Sequence, residues 1–543
     1  MLGGGVAAGA SQVDLESWST YRTPHFSILS NAENERAVEI VTTLEQFRAA
    51  FSQWSPELEL VSPVPTRILA FRDADSYTPF KTGRDGKGAQ ILGQFLGHRD
   101  GNFITLNADP RFLGGFGVVL HEYVHYLVQH NFPAVPRWLN EGLAEYYSTF
   151  RVDGDAALVG LGVERHVHWI RTHDDLRLAD LLETTGRSGQ VHPGDSDGDG
   201  DGVGRFYAVS WGLVHYLLST GEDRGTQLAD FLELAAAGEP PVAAFEQSFD
   251  LRLSDLEDDL EAYFLGPSLP AARVPLERLG SDFSVEIERT APADLASTLG
   301  DLVVRQGQEA RAEGFYNVAL AYEPQHAEAH AGLAYVRDLQ SRLAEAELLY
   351  QDALELGPAD GRTYLLYGRH LLARMEEARR EGDSIAAADH AAGARSAFRD
   401  GTRVAPEFAE ISAMLGYSYL FTSGDPEAGI APLEKARRLL PGRPDVVFHL
   451  LQLHLRLGDF DRARALAAGV LTRIGDEELV FKAREEIARA ELLKAANEAL
   501  ADGRHEDGLR LLDDAIMATS DPEVRARLEV ELRRIESRVE RQR

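Results

Sequence analysis

The chain repeats itself with a period of 34 residues from position 299 onward. Six positions of one unit return in the next with the same or a similar side chain. The matched pairs are Leu299 and Leu333, Gly300 and Ala334, Ala312 and Ala346, Tyr316 and Tyr350, Ala319 and Ala353, and Pro324 and Pro358. Small residues let two antiparallel helices approach closely, the aromatic ring wedges between them, and the proline ends the second helix. The period therefore predicts a stack of helix pairs.

This pattern resembles the tetratricopeptide repeat. Further units with longer spacings begin near Gly416 and Leu457, and about fourteen extra residues near 375–388 are expected to lengthen one helix pair. We predict an all-α solenoid over residues 276–543, capped by a charged last helix that starts at Pro522. The resemblance implies a groove that binds peptides or partner proteins. A purely structural or assembly role stays open, because no cluster of basic or aromatic residues marks a ligand.

A second motif lies upstream, at residues 118–130, which read VVLHEYVHYLVQH. His121 and His125 are four residues apart, so on a helix they share one face and can direct two imidazoles at one metal ion. Glu122 lies beside the first of them and could serve as general base toward an attacking water. Because this HExxH pattern fixes only three positions, it is moderate evidence for a zinc site by itself, and the residues downstream of it decide the interpretation.

The segment 136–147 comes next and reads PRWLNEGLAEYY. With HExxH, it resembles the gluzincins of the peptidase MA clan, and distantly the aminopeptidase N family, in which the glutamate of W-L-N-E-G is the third zinc ligand. The resemblance implies Zn²⁺ held by His121, His125 and Glu141. It also places Glu145 where a carboxylate accepts a hydrogen bond from the first ligand imidazole. For Glu145, a solvated surface charge is the alternative.

A third segment, residues 205–219, reads RFYAVSWGLVHYLLS and predicts an apolar helix. In the aminopeptidase N family a Y-x-x-G helix follows the zinc ligands, and its tyrosine stabilises the oxyanion. Tyr207 aligns with that tyrosine, although Ser210 stands at the glycine position. His215 is a second candidate for the role, and plain core packing is a third interpretation of Tyr207. Five other histidines are interpreted as ordinary loop or helix residues: His130, His166, His168, His173 and His192.

The resemblance departs from the family at the substrate-binding strand. Aminopeptidases of that family hold the substrate amino terminus with a G-x-M-x-N strand, whereas residues 101–107 read GNFITLN here. An endopeptidase is therefore favoured over an aminopeptidase. The stretch NFITL becomes a candidate edge strand that pairs with an extended substrate.

Composition limits the chemistry further. The chain has no cysteine, so any metal must sit on His, Asp or Glu. Its 87 acidic and 55 basic side chains give a net charge of −32, which disfavours nucleic acid binding. No apolar run reaches the length of a membrane-spanning helix. The Asp-rich stretch 194–204 fails as an EF-hand, because Phe206 stands where the twelfth-position glutamate belongs; an exposed loop is favoured over a calcium site.

Taken together, these features predict an α+β zinc-metallopeptidase domain, with a small mixed sheet and a helical active-site subdomain, followed by the repeat solenoid. The expected divisions are a leader at 1–20, the peptidase domain at 21–265, a Pro-rich linker at 266–275 and the repeats at 276–543. The small-residue leader slightly favours export over a cytoplasmic location. The expected function is hydrolysis of a peptide or protein substrate, with protein partners at the repeat groove. The alternative is an inert peptidase-like scaffold whose repeats mediate assembly.

Overall fold

The computed structural model of the chain describes residues 13–54, 60–81, 93–111, 114–132, 135–173, 176–184, 202–220, 224–279, 283–421, 425–474 and 476–542. The chain divides into two compact units, residues 1–411 and residues 412–543. The first unit holds the sheets, the helices around them and the first helix pairs of the repeats. The second unit is helical throughout its regular elements that the structure describes.

A mixed sheet of six strands forms the centre of the first unit. Its strand order is β4-β5-β3-β2-β1-β9, with β2, β3 and β5 parallel and the other pairs antiparallel. A second, antiparallel sheet has the order β6-β7-β8. The bounds are β1 (Ser19–Arg22), β2 (Ser27–Ser30), β3 (Thr66–Phe71), β4 (Gly93–Leu96), β5 (Asn102–Asn107), β6 (Arg151–Asp153), β7 (Ala156–Val159), β8 (Ala272–Pro275) and β9 (Glu286–Arg289).

The stretch NFITL does not lie at a sheet edge. It forms most of β5, which pairs with β3 on one side and with β4 on the other. All six residues of β5 are buried. The expectation of a substrate-binding edge strand at NFITL was therefore wrong, because both of its hydrogen-bonding sides are already occupied. Among the described residues, the sheet ends on this side at β4.

The Pro-rich stretch 266–275 takes part in a sheet. Its last four residues form β8, which pairs with β7, and β9 follows to pair with β1. The polypeptide thus returns to both sheets after the point where we predict the domain boundary. The boundary itself stays a prediction.

Helices cover the sheets and carry the candidate site. Apolar side chains of α1, α3, α4, α7, α9 and α10 meet in one large core with those of β2, β3 and β5. The bounds are α1 (Asn34–Trp54), α2 (Ala74–Tyr77), α3 (Gly114–Asn131), α4 (Arg137–Tyr147), α5 (Glu164–Thr172), α6 (Leu178–Leu182), α7 (Gly202–Ser219), α8 (Arg224–Ala236), α9 (Pro241–Phe249) and α10 (Leu253–Leu265).

The predicted helix pairs begin at Pro292. In the first unit they are α11 (Pro292–Arg305) with α12 (Glu309–Tyr322), α13 (Ala327–Leu339) with α14 (Leu343–Glu355), and α15 (Gly361–Glu381) with α16 (Ser384–Val404). The extra residues near 375–388 lengthen the third pair, whose helices have 21 residues each. The Tyr316 ring wedges between α11 and α13, as the repeat pattern predicts: a Cβ added at Gly300 would lie 2.7 Å from it.

The helices of the repeats continue to the end of the chain. They are α17 (Ala409–Ser418), α18 (Glu427–Leu439), α19 (Pro444–Arg456), α20 (Phe460–Ala465), α21 (Thr472–Ile474), α22 (Glu477–Ala501), α23 (His505–Met517) and α24 (Pro522–Gln542). A π-helical turn at 466–471 joins α20 to α21. Within the second unit, buried side chains of α18 and α19 share one core, and those of α19, α20 and α22 share another.

A buried ion network joins the large sheet to the first repeats. Asp100, in the turn before β5, accepts hydrogen bonds from Arg305 of α11 at 2.9 Å and from Arg362 of α15 at 2.8 Å. Asp301 of α11 accepts hydrogen bonds from Arg362, at 2.9 Å, and from Arg67 of β3. These carboxylates and both repeat arginines are nearly inaccessible to solvent. The sheet and the first repeats are therefore parts of one packed unit.

Candidate metal centre

Helices α3 and α4 bring three candidate ligands together. The Nε2 atoms of His121 and His125 lie 3.0 Å apart, and Oε2 of Glu141 lies 3.6 Å from the first and 3.3 Å from the second. Tetrahedral zinc with bonds of about 2.0–2.1 Å separates its ligand atoms by about 3.3 Å. The three donor atoms therefore fit a single zinc ion. Among the described residues, these three are the His and acidic side chains that lie close enough together to share one metal ion.

The Glu141 carboxylate is ionised at neutral pH. Burial disfavours its charge, but the neighbouring imidazoles of His121 and His125 outweigh burial and lower its pKa to about 2. In turn, burial lowers the pKa of His125, whereas its interaction with the Glu141 carboxylate raises it more strongly. A buried carboxylate that faces two imidazoles is a donor set for a divalent cation.

Asn140 orients the second histidine. Its Oδ1 lies 3.0 Å from Nδ1 of His125, which can donate its proton there and leave Nε2 free for a metal. Asn140 is itself buried. Sequence reasoning missed this role, although Asn140 stands directly before the ligand in W-L-N-E-G. One short segment thus supplies both a ligand and the partner of another ligand.

Glu145 lies beside the first histidine without a hydrogen bond to it. Its Oε1 is 3.9 Å from Nδ1 of His121, which exceeds hydrogen-bonding distance. Instead, Glu145 accepts hydrogen bonds from Arg165 at 3.0 Å and from Nε2 of His166 at 3.2 Å. Burial opposes its ionisation, but these partners lower its pKa overall. The solvated-charge alternative does not hold, since Glu145 is buried.

His166 is not the ordinary histidine that the sequence suggests. It lies on α5, is buried, and contacts Oε2 of Glu145, whereas His121 lies near Oε1. The sequence signal for this contact is weak, because α5 is separated from α4 by the β6–β7 hairpin. Of the other histidines in that group, His168 is exposed, His173 stacks on Trp169, and His130 packs against Tyr126. His192 lies outside the described residues.

The position of Glu141 depends on close packing between α4 and α7. Gly142 meets the backbone of α7 directly: a Cβ added there would lie 2.5 Å from the Ser210 carbonyl oxygen and 2.5 Å from Val214 Cγ2. Glycine at this position lets the two helices touch. This contact also explains why the residue after the candidate ligand must be small.

Tyr207 lies on α7, close enough to Glu141 for that carboxylate to affect its pKa. Burial raises its pKa to about 12, with a further increase from the charge of Glu141 and an opposing effect of Arg137. Its hydroxyl is therefore protonated at neutral pH and can donate a hydrogen bond. In contrast, His215 is fully buried, with Nε2 2.8 Å from the Gly160 carbonyl oxygen and Nδ1 2.9 Å from the Tyr263 hydroxyl. Since both ring nitrogens are engaged, the structure does not support His215 as an oxyanion donor.

Glu122 is partly accessible and lies next to His121 on α3. Its negative charge contributes to the raised pKa of His125, so it lies near the three ligands. The described residues give its carboxylate no hydrogen bond or ion pair. The carboxylate is available to a water or a substrate group.

Two sequence-based interpretations fall outside the described residues. They are the leader at its first twelve positions and most of the Asp-rich stretch 194–204. Within the described residues, no helix has the length and apolar character needed to cross a bilayer.

Three segments of the chain match known protein families. Residues 297–361 and 420–487 each match a family described as "Tetratricopeptide repeat". Residues 116–243, which include all the candidate site residues, match a family described as "Protein of unknown function (DUF1570)". A comparison with curated proteins finds no match. The chain therefore contains tetratricopeptide repeats, which imply protein interaction, behind a domain whose function the family leaves open.

Several solved structures match part of the chain. TTC0263, a tetratricopeptide-repeat protein of Thermus thermophilus, is 23% identical over 37% of this chain and 100% of its own length, with a TM-score of 0.28. YrrB, described as having an unusual peptide-binding site, is 16% identical over 36% of this chain and 92% of its own, with a TM-score of 0.29. PilF of Pseudomonas aeruginosa is 20% identical over 44% of this chain and 97% of its own, with a TM-score of 0.29.

Proposed function

We propose that the first domain is a zinc-dependent peptidase of the gluzincin type. The observation that carries this proposal is the convergence of His121, His125 and Glu141 from two helices, with donor atoms 3.0–3.6 Å apart. Two further features support it. Asn140 orients one ligand. A purely structural zinc needs four protein ligands, and the described residues offer only three here.

Zinc at such a site would polarise the scissile carbonyl and lower the pKa of a water molecule. The protein's own side chains would handle the protons. Glu122, which has no protein partner among the described residues, accepts a proton from the attacking water and delivers it to the leaving amine. Tyr207, protonated at neutral pH, donates a hydrogen bond to the oxygen on which negative charge develops.

An endopeptidase is the form of this activity that we favour. The chain lacks the G-x-M-x-N strand with which the similar aminopeptidases hold a free amino terminus. In the part of the chain that the structure describes, β4 and not β5 ends the large sheet near α3, so β4 is the strand whose outer side could pair with an extended substrate.

The proposal is tested by mass-spectrometric profiling of an unbiased peptide library incubated with the zinc-loaded full chain. Glu122→Gln is the matched control, because it keeps the ligands and removes the general base. Cleavage by the wild type and none by the control would support the proposal. Equal cleavage by both would point to a contaminating protease, and cleavage by neither would reject the proposed activity.

The second candidate function is a catalytically inert scaffold, and the repeats favour it. Their presence is established by two separate family matches, whereas the domain that holds the site matches a family of unknown function. In this case the metal would stabilise the first domain, and the repeats would mediate assembly. Zinc binding with no cleavage of any library peptide is the result that would select the scaffold.

A further inference from the structure

Arg137 lies at the edge of the candidate metal centre. It is the first residue of α4 and precedes Glu141 by one helical turn, so the two side chains share a face. Its guanidinium carbon lies 4.5 Å from the centre of the Phe206 ring, and Phe206 directly precedes Tyr207 in the chain. The ring contact favours an orientation in which the guanidinium lies over the aromatic face.

No acidic side chain among the described residues forms an ion pair with this arginine. That is unexpected in a chain with 87 acidic and 55 basic residues, in which many arginines are paired. Helix stability does not explain its position either, because a cation in the first turn of a helix is unfavourable. Arg137 is also only partly exposed, so part of its charge has lost contact with water.

The guanidinium has donors to spare. It carries five N–H groups, and a tyrosine hydroxyl can accept only some of them. Carboxylates match this planar fork best, through two parallel hydrogen bonds. A carboxylate placed there would lie next to Tyr207, where the reacting carbonyl of a bound peptide is expected.

We propose that Arg137 binds a carboxylate of the substrate and so determines which peptides the site accepts. This inference rests on the proposed peptidase function. The carboxylate has two sources in a peptide, the chain's own C-terminus and an Asp or Glu side chain near the scissile bond. Both offer the same chemistry to the guanidinium, and experiment can distinguish them.

The test measures binding, so it does not depend on turnover. Full-length Glu122→Gln protein, loaded with zinc, is immobilised and exposed to one peptide library in three forms. The first has free C-termini, the second has C-terminal amides, and the third has Asn and Gln in place of Asp and Glu. The same retention experiment is run with two double variants. One combines Glu122→Gln with Arg137→Gln; the other, a matched control, combines it with Arg151→Gln, which removes an exposed arginine of β6.

We expect one of the two carboxylate-free libraries to be retained about tenfold or more weakly than the first, as for loss of a charged hydrogen bond. Arg137→Gln should abolish this preference, and Arg151→Gln should keep it. Weaker retention of the amidated library would identify the peptide C-terminus as the group that Arg137 binds. Weaker retention of the Asn/Gln library would identify an acidic side chain. Arg137→Lys, which keeps the charge but not the fork, should show a weaker preference. It replaces Arg137→Gln as the deciding variant if the latter cannot hold zinc.

Equal retention of all three libraries, or a preference that survives in the Arg137 variants, would overturn the inference. A further outcome would distinguish failure of the carboxylate site from failure of the proposed peptidase function. If the Glu122→Gln protein prefers carboxylate peptides through Arg137 but the wild type cleaves none of them, the hydrolytic proposal fails and the carboxylate site stands.

Discussion

Nδ1 of His125 lies 3.0 Å from Oδ1 of Asn140, which connects the second histidine of HExxH to the residue directly before Glu141. Replacing Asn140 with Ala removes this acceptor and leaves the imidazole free to rotate. We expect zinc affinity to fall by about 10–100-fold, the usual effect of losing an orienting partner. Competition with a chelator of known affinity measures it. Asn140→Asp keeps an acceptor and should retain most of the affinity, and an unchanged affinity for the Ala variant would contradict the role.

Glu141 and Glu122 should differ in their effect on the metal. We expect the full chain to hold about one zinc, given the one ligand set found. Glu141→Gln removes a charged donor and should lower zinc affinity sharply, whereas Glu122→Gln should keep the zinc and lose activity. Elemental analysis after dialysis compares them. Equal zinc loss in both variants would show that the two roles are misassigned.

Tyr207→Phe should affect turnover more than binding. The lost hydroxyl matters when charge develops on the substrate oxygen, so kcat should fall by about 10²–10³ with little change in KM or zinc content. Tyr216→Phe on the same helix is the control, because its hydroxyl points to Asp259 instead. If kcat of Tyr207→Phe stays near the wild-type value, Tyr207 serves only in packing.

Gly142→Ala should disturb the site through packing. The new methyl group would overlap the Ser210 carbonyl oxygen and Val214, so α4 must move away from α7. We expect a loss of about 1–3 kcal/mol in the free energy of unfolding and weaker zinc binding, because Glu141 moves with α4. Gly204→Ala, on α7 with open space around it, should be neutral or slightly stabilising. Denaturant unfolding of both variants tests this.

Asp100 should make the stability of the first unit sensitive to acid. Burial opposes its charge, but Arg362 and Arg305 hold its pKa well below the ordinary value. A lowered pKa in the folded state stabilises the protein above pH about 4, and this stability is lost as the pH falls below that value.

Asp100→Asn leaves two buried guanidinium groups without this partner and should cost about 3–5 kcal/mol at neutral pH. The variant should also lose less further stability than the wild type between pH 4 and pH 2. Thermal unfolding across that range measures the difference. Asp155→Asn breaks an exposed pair with Arg273 and should cost less than about 1 kcal/mol. Parallel acid profiles for Asp100→Asn and the wild type would contradict the assignment.

Local patterns allowed much of this architecture to be predicted. The spacing of His121 and His125 places them on one helix face, and the 34-residue period places Tyr316 between α11 and α13. In both cases the signal lies within a few turns of helix. Strand β5 was also predicted, because NFITL is a short run of apolar and β-branched residues.

Features that depend on distant parts of the chain could not be predicted. Strand β9 consists of four exposed residues without apolar alternation, and only its pairing with β1 makes it a strand. The central position of β5 depends on its pairing with β3 and β4, which its own sequence does not show. Likewise, the contact of His166 with Glu145 exists only because α5 packs against α7, which in turn packs against α4.

The pairing of β9 with β1 has a consequence for biosynthesis. Ser19 pairs with Arg289, so β1 leaves the ribosome long before its outer neighbour is made. Asp100 likewise has no Arg362 to bind until a further 262 residues have been translated. His121, His125 and Glu141 are therefore translated while the sheet behind them still lacks one of its strands. The proposed metal ligands are thus all present in the nascent chain before β9 and the arginines of the first repeats, which complete the packed unit, have been made.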